Sequence, residues 1–271
     1  MSSRPAQWRF LLALGAILLL ALPAQALLFV HLSDTHLSAS GAGTFGTRGQ
    51  ETLREFAAML PVLKPAFVVV TGDIADAGDE ASWQLFRAIM KDAPCPVYPV
   101  AGNHDWPPVA TWQSVFGSHH LAVDHGDCTL IAISDNSGCA GERNWPEWGD
   151  YLEEQLKQAQ ARGQKQFLIA MHHPLLAMSS PGFDSMPGWA ALGGEQARRV
   201  INLCAQYRVK ALLAGHLHPI YDSYCSAGGV LSLAGPALGT SPTGPPGQFR
   251  LFSLEEGALG WTEAVPGKWP V

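Results

Sequence analysis

The sequence predicts a layered α/β domain, and three observations carry that prediction. Apolar runs of strand length alternate along the chain with amphipathic runs of helix length. The strongest strand candidates, such as "FVVVTGD", are apolar on consecutive residues, as expected of strands covered on both faces. Each of those strands also ends in a polar cluster instead of a plain turn.

Taken in order, residues 27–32 ("LLFVHL") are the first strand, ending in Ser33-Asp34-Thr35-His36. Residues 38–50 read as a Gly/Ser loop. Residues 51–64 read as a helix, with Leu53, Phe56 and Leu60 near helical spacing. The run of β-branched residues at 65–73, bounded by Pro65 and Gly72, is a buried strand. An amphipathic helix follows over 79–92, then a strand over 95–103. Residues 128–135 are a strand, 148–163 a helix and 165–174 a strand. A helix over 193–208 leads into the strand 209–219. The segments 228–236, 248–257 and 259–265 are strands without helices between them, which predicts added antiparallel pairing. Residues 239–248 ("GTSPTGPPGQ") are a surface loop.

At 271 residues and 47% hydrophobic, the chain can bury one sizeable core. Residues 1–26 stand apart. Arg4 and Arg9 precede a dozen apolar residues, and "PAQA" places Ala24 and Ala26 in an A-x-A arrangement. That is the pattern of a secretory signal peptide cleaved after Ala26. The expectation is a signal at 1–26, a single domain over 27–271, a periplasmic or secreted protein, and no permanent membrane span. The rival is an uncleaved anchor. However, Leu27 to Val30 are needed as the strand carrying Asp34, and without them the apolar stretch is short for a span.

Net charge is −6, and no basic run or aromatic-basic stripe occurs, so no groove for a nucleic-acid polymer is expected. A small, locally recognised substrate fits better. The five cysteines are Cys95, Cys128, Cys139, Cys204 and Cys225. The odd count leaves at least one unpaired within a monomer, and without a C-x-x-C neither a zinc knuckle nor a thioredoxin-like site is supported.

The polar clusters are "SDTH", "TGDIAD", "AGNHD", "MHHP" and "AGHLHP". Asp34 and His36, two residues apart in extended chain, point to one side, as metal ligands or as a solvated turn. Carboxyl ends of strands in an α/β sheet gather on one edge. There they would collect Asp34, His36, Asp73, Asp76, Asn103, His104, His172, His216 and His218. Imidazole, carboxylate and amide oxygen together suit Mn, Fe, Zn, Co or Ni. The donors are too many for one ion and enough for two sharing a carboxylate.

The pattern D-x-H, GD-x-x-D, GNH-[DE], H and GH-x-H resembles the calcineurin-like metallophosphoesterase superfamily. All five blocks are present in order over residues 34–218. The resemblance implies a four-layer α/β/β/α sandwich of two mixed sheets flanked by helices. It implies two divalent transition-metal ions as cofactors, one held by Asp34, His36 and His218. Asn103, His172 and His216 would hold the other, with Asp73 bridging. It also implies attack on phosphorus by a hydroxide shared between the ions. His104 would give a proton to the leaving alkoxide or bind a phosphate oxygen, and Asp76 would orient His104 by ion pairing. On that assignment Asp76→Asn lowers turnover far more than metal content. His173 would lie behind the ligand set, and Asp105 would close its turn. His31, His119, His120 and His125 match no block and read as surface or packing histidines.

Departures narrow the resemblance. Purple acid phosphatases have tyrosine where Asp76 stands. Serine/threonine phosphatases have arginine at Ala77 and glutamate at Asp105, and lipid-A pathway hydrolases have arginine at His104. The chain most resembles the compact phosphodiesterase-type group, which includes cyclic-nucleotide and glycerophosphodiester phosphodiesterases. A phosphodiesterase is therefore expected, with a broad phosphomonoesterase as the alternative and a non-catalytic scaffold as the rival of another class. Met178, Phe183, Met186 and Trp189 could form a leaving-group platform or simply pack their loop. Trp106 could stack on a base or cover the sheet edge.

Overall fold

Strands that are apolar on consecutive residues need cover on both faces, and the chain supplies it with helices on one side and a second sheet on the other. The computed structural model describes residues 26–43, 48–105, 109–135, 147–175, 192, 194–225, 229–239 and 247–268. The signal-peptide reading, Trp106, the platform at 178–189 and Cys139 fall outside them. Among the described residues no helix is long and apolar enough to cross a membrane.

The strands are β1 (Leu27–Leu32), β2 (Phe67–Thr71), β3 (Val97–Val100), β4 (His120–His125), β5 (Cys128–Ile133), β6 (Gln166–Ala170), β7 (Ala211–Ala214), β8 (Tyr221–Cys225), β9 (Val230–Ala234), β10 (Phe249–Glu255) and β11 (Ala258–Ala264). The helices are α1 (Arg48–Leu63), α2 (Glu80–Met90), α3 (Val109–Phe116), α4 (Glu147–Ala161) and α5 (Gly194–Tyr207). One sheet runs β11-β10-β1-β2-β3 and the other β4-β5-β6-β7-β9-β8. In the first, β1, β2 and β3 are parallel while β10 and β11 pair antiparallel. In the second, β5, β6, β7 and β9 are parallel, and β4 and β8 are antiparallel edges. Both sheets are mixed, as expected.

Side-chain alternation in β2 shows how the layers arise. Phe67 and Val69 pack between the sheets, with Phe29, Leu168, Leu213 and Phe252. Val68 and Val70 face the other way, onto Leu53 and Phe56 of α1 and Trp83 and Phe86 of α2. On the far side Ile131, Phe167, Ile169 and Leu212 meet Trp148 and Leu152 of α4 and Leu203 and Tyr207 of α5. Helix, sheet, sheet, helix is the four-layer order. Phe29, Phe67 and Phe252 stack in the middle with ring centroids 4.8 to 4.9 Å apart.

Local chemistry sets the boundaries. Asp79 caps α2, its carboxylate accepting the Ser82 N–H at 2.8 Å from an extended backbone. Helix α1 begins at Arg48, three residues before the expected start, and runs through Pro61. The sequence reading lacked α3, β4 and β8. Helix α3 has only eight residues. Strand β4 joins β5 through the two-residue Gly126-Asp127 turn, with His125 opposite Cys128.

Between the sheets the core turns polar toward the carboxyl ends of the parallel strands. Arg250 of β10 is fully buried and forms a double hydrogen bond to Asp222 of β8, tying one sheet to the other. His31, opposite Arg250 in the β1–β10 pair, bonds Thr71 Oγ1 through Nε2 at 2.7 Å. Thus His31 and His120 are buried, in keeping with packing roles. Cys95, Cys128 and Cys204 are free thiols.

Candidate metal centre

Five strand ends build the site: β1 and β2 deliver Asp34, His36 and Asp73, β3 delivers Asn103 and His104, and β6 and β7 deliver His172, His216 and His218. Beyond the regular strands the backbones stay zipped together. The N–H groups of Asp34, His36 and Leu37 donate to the carbonyls of Gly72, Asp73 and Ile74, at 3.0, 2.9 and 2.8 Å. The Gly215 N–H donates to the His172 carbonyl at 2.9 Å. Two glycines are required by close approach. A Cβ at Gly72 would strike the His172 ring, and one at Gly215 would strike Ser33 Oγ.

Two donor clusters result. In the first, His36 Nε2 lies 3.0 Å from His218 Nε2, 3.9 Å from Asp34 Oδ1 and 3.8 Å from Asp73 Oδ2. His218 Nε2 is 3.5 Å from Asp34 Oδ1. In the second, Asn103 Oδ1 lies 2.8 Å from both His172 Nε2 and His216 Nδ1, which are 3.2 Å apart. The clusters meet at one atom, because Asp73 Oδ2 is also 3.3 Å from His172 Nε2. The other oxygen, Asp73 Oδ1, accepts the His104 backbone N–H at 2.8 Å.

These spacings fit metal ions. Two ligands at about 2.0–2.2 Å from one ion sit roughly 3–3.5 Å from each other, so the donors are already near coordination spacing. Electrostatics agrees. Burial works against charge on His172, but the carboxylates of Asp73, Asp34 and Asp135 outweigh it and push the imidazole up to about 10. The carboxylates that favour positive charge on this ring would likewise favour a cation among them. Burial, with neighbouring imidazoles, holds His36 and His216 down at about 3. The neutral ring is the ligating form. Burial drives the Asp34 carboxyl upward, and the Asp73 charge adds to it.

Hydrogen bonds on the outer nitrogens fix the rings. The His172 Nδ1–H donates to the Thr71 carbonyl at 2.8 Å, which turns Nε2 to the cluster. The backbone is tied in as well, the Asp34 carboxylate accepting the His216 main-chain N–H at 3.1 Å. His104 is exposed, and its Nδ1–H donates to the backbone carbonyl of Asp76 at 2.8 Å. Asp76 was expected to orient His104 through its carboxylate; here the carbonyl does so, while Asp76 Oδ1 lies 3.4 Å from His36 Nδ1. All nine expected site residues therefore gather at one edge.

Sequence reasoning missed Asp135, at the end of β5. It is buried and accepts the backbone N–H groups of His172 and His173 and the His173 ring Nδ1–H, at 3.1, 3.1 and 3.0 Å. The available signal was a sixth strand end with a carboxylate, "IAISD". Asp105 does more than close its turn. It accepts N–H groups from Ile74, Ala75, Gly102 and the Trp83 indole.

A double-sheet sandwich that turns this donor set toward one edge defines a metallophosphoesterase. The calcineurin-like phosphoesterase model matches residues 27–219, and the chain belongs to that family. It is a hydrolase of phosphoric ester bonds. A probable glycerophosphodiester phosphodiesterase of Arcobacter nitrofigilis is 26% identical over 224 residues, 78% of this chain and 79% of that protein. A 3′,5′-cyclic adenosine monophosphate phosphodiesterase of Pseudomonas aeruginosa is 26% identical over 201 residues, 72% and 71% of the two chains. Among solved structures, a dimetal phosphatase of Danio rerio shares the fold with a TM-score of 0.63 at 14% identity, over 89% of this chain and 99% of that one. The purple acid phosphatase of yellow lupin gives 0.64 at 17% identity, over 92% of this chain and 53% of its own.

Proposed function

We propose that the protein hydrolyses small phosphodiesters with the help of two divalent metal ions. The observation that carries the proposal is the pair of donor clusters meeting at Asp73 Oδ2. Asp34, His36 and His218 would hold one ion and Asn103, His172 and His216 the other, with Asp73 between them. Mn, Fe, Zn, Co and Ni all suit these donors. Bound there, two cations supply a water of lowered pKa and neutralise charge on the phosphoryl oxygens.

The chain's own groups position and transfer protons. The carbonyl of Asp76 keeps a proton on His104 Nδ1, so Nε2 is the nitrogen that exchanges a proton with a departing alkoxide. His104 stands at the rim of the cluster, its ring edge-on to His36 with centroids 4.8 Å apart. A diester preference is supported by the names of the two relatives above. Export after cleavage at Ala26 is part of the same reading and rests on residues 1–26.

The test is metal analysis of the mature protein together with hydrolysis of bis-p-nitrophenyl and p-nitrophenyl phosphate. Two equivalents of metal and faster turnover of the diester are expected. Faster turnover of the monoester would make the protein a phosphatase, and a single equivalent would remove the two-ion reading. Amino-terminal sequencing of the exported protein should begin at Leu27.

A further inference from the structure

We propose that the Asp76 carboxylate is a positioning group for His36, holding the Nδ1 side of that ring so that Nε2 stays turned toward Asp34, Asp73 and His218. The proposal rests on the metal-dependent reading above. The ring stands between the donor cluster and the carboxylate, which approaches Nδ1 at a distance long for a hydrogen bond. Nε2 faces the donor cluster at 3.0 to 3.9 Å, and the opposite nitrogen faces Asp76 Oδ1 at 3.4 Å.

The placement of Asp76 is built into the backbone. Leu37 and Ala75 form an isolated parallel bridge, and the Asp76 N–H donates to the Leu37 carbonyl at 2.9 Å. The segment after β1 is thereby locked alongside the segment after β2, which sets His36 and Asp76 side by side. A wall closes the other side of the carboxylate. A Cβ at Gly43 would come within 2.7 Å of Asp76 Oδ2, so the loop after β1 passes close against the carboxylate. The Asp76 side chain is 10% exposed and that of His36 is fully buried.

The same residue serves His104 by a different group. His104 Nδ1 is held by the Asp76 backbone carbonyl, which any substitution of the side chain leaves in place. A carboxylate on the outer nitrogen of a ligating imidazole fixes its tautomer and raises its basicity. The two roles make opposite forecasts. If the carboxylate acts on His36, its loss weakens one metal site and excess metal restores turnover. If it acts on His104, metal binding is untouched and turnover stays low at saturating metal.

The experiment is calorimetric titration of metal-stripped wild type, Asp76→Asn and Asp76→Ala with Mn(II), followed by kcat at rising metal concentration. Wild type should show two binding events. In the variants one event should weaken by about 10-fold for Asn and up to about 100-fold for Ala, the range for loss of such a partner. The other event should be unchanged, and kcat should recover as metal is raised. Two unaltered affinities with a low kcat at saturation would overturn the proposal. Thermal unfolding of the stripped proteins checks that the variants fold. Asp76→Asn keeps the volume and decides the question should Asp76→Ala fail. A wild type that binds no metal would defeat the proposed function instead, and that result is read before any variant.

Discussion

Asp105→Asn tests whether a single buried carboxylate holds the two central site loops together. Asp105 is 2% exposed. Its Oδ2 accepts N–H groups from Ile74 at 2.8 Å and Gly102 at 3.1 Å, and its Oδ1 accepts from Ala75 at 2.8 Å and the Trp83 indole at 2.9 Å. Asparagine replaces one oxygen with a donor, so two of the four N–H groups then face another N–H. A buried donor left without a partner costs about 1–3 kcal/mol, which puts the loss at roughly 2–6 kcal/mol. A loss of about 3 kcal/mol in a chain of this size corresponds to a fall in Tm of roughly 6–12 °C. Burial, then the Asp73 charge, pushes this carboxyl up to about 6 against the pull of its N–H partners. A raised value means the folded state disfavours the ionised form, so this group's contribution declines as pH rises from about 4 to 6 and is flat above. The measurement therefore belongs at pH 7.5 to 8, by thermal and urea unfolding of metal-stripped protein, with an unchanged urea m value. Because Ile74 follows Asp73 and Gly102 precedes Asn103, weaker metal binding should accompany the loss. A Tm within about 2 °C of wild type would refute the reasoning, since two buried N–H groups left without an acceptor cannot cost so little.

Two further outcomes follow from the same contacts. Burial, then the Arg250 charge, pulls His31 down to about 3, so below pH 6.5 the unfolded chain takes up a proton that the folded one resists. The contribution of His31 to stability is full above pH 6.5 and falls by about 1.4 kcal/mol per pH unit below it, until the folded value is reached. His31→Gln keeps an N–H for Thr71 and should flatten that slope in urea midpoints between pH 6.5 and 4; an identical slope would exclude His31 as its source. Asp73→Ala should leave fewer than one equivalent of metal, because Asp73 Oδ2 belongs to both clusters, whereas His218→Ala should retain one. Metal analysis after dialysis distinguishes them, and equal retention would deny the shared role of Asp73.

Much of the site was legible because its residues sit at strand ends in chain order. A carboxylate or imidazole that ends a buried apolar run has few structural reasons to be there, and five such ends in one chain define an edge. Atom-level detail was not legible. Asp76 and His104 share a motif, yet whether the carboxylate or the carbonyl of Asp76 faces the ring depends on how the segments after β1 and β2 align. Likewise, nothing near His31 in the sequence points to Arg250. The antiparallel register of β10 on β1 puts the two opposite each other, and the crossing to β8 supplies Asp222. Strand β4 was missed because its only signal is the short Gly126-Asp127 turn beside a half-buried run.

Backbone conformation ties the site to the scaffold. Among the described residues eight non-glycine positions have positive φ, and five of them are Asp34, His36, Asp73, His216 and His218. Each costs about 1–2 kcal/mol relative to ordinary backbone, so the chance of so many falling on one donor set by accident is small. The left-handed bends let strand ends that leave their sheets side by side turn their side chains inward to one point. What holds the bends is the ladder of hydrogen bonds beyond the strands. The N–H groups of Asp34 and His36 donate to Gly72 and Asp73, and the Gly239 N–H donates to the Asp34 carbonyl at 2.8 Å. Those bonds are entirely main chain and involve no donor atom of either cluster. The strain is thus offset by the scaffold's own main-chain bonds, which hold the donor side chains on rigid elements.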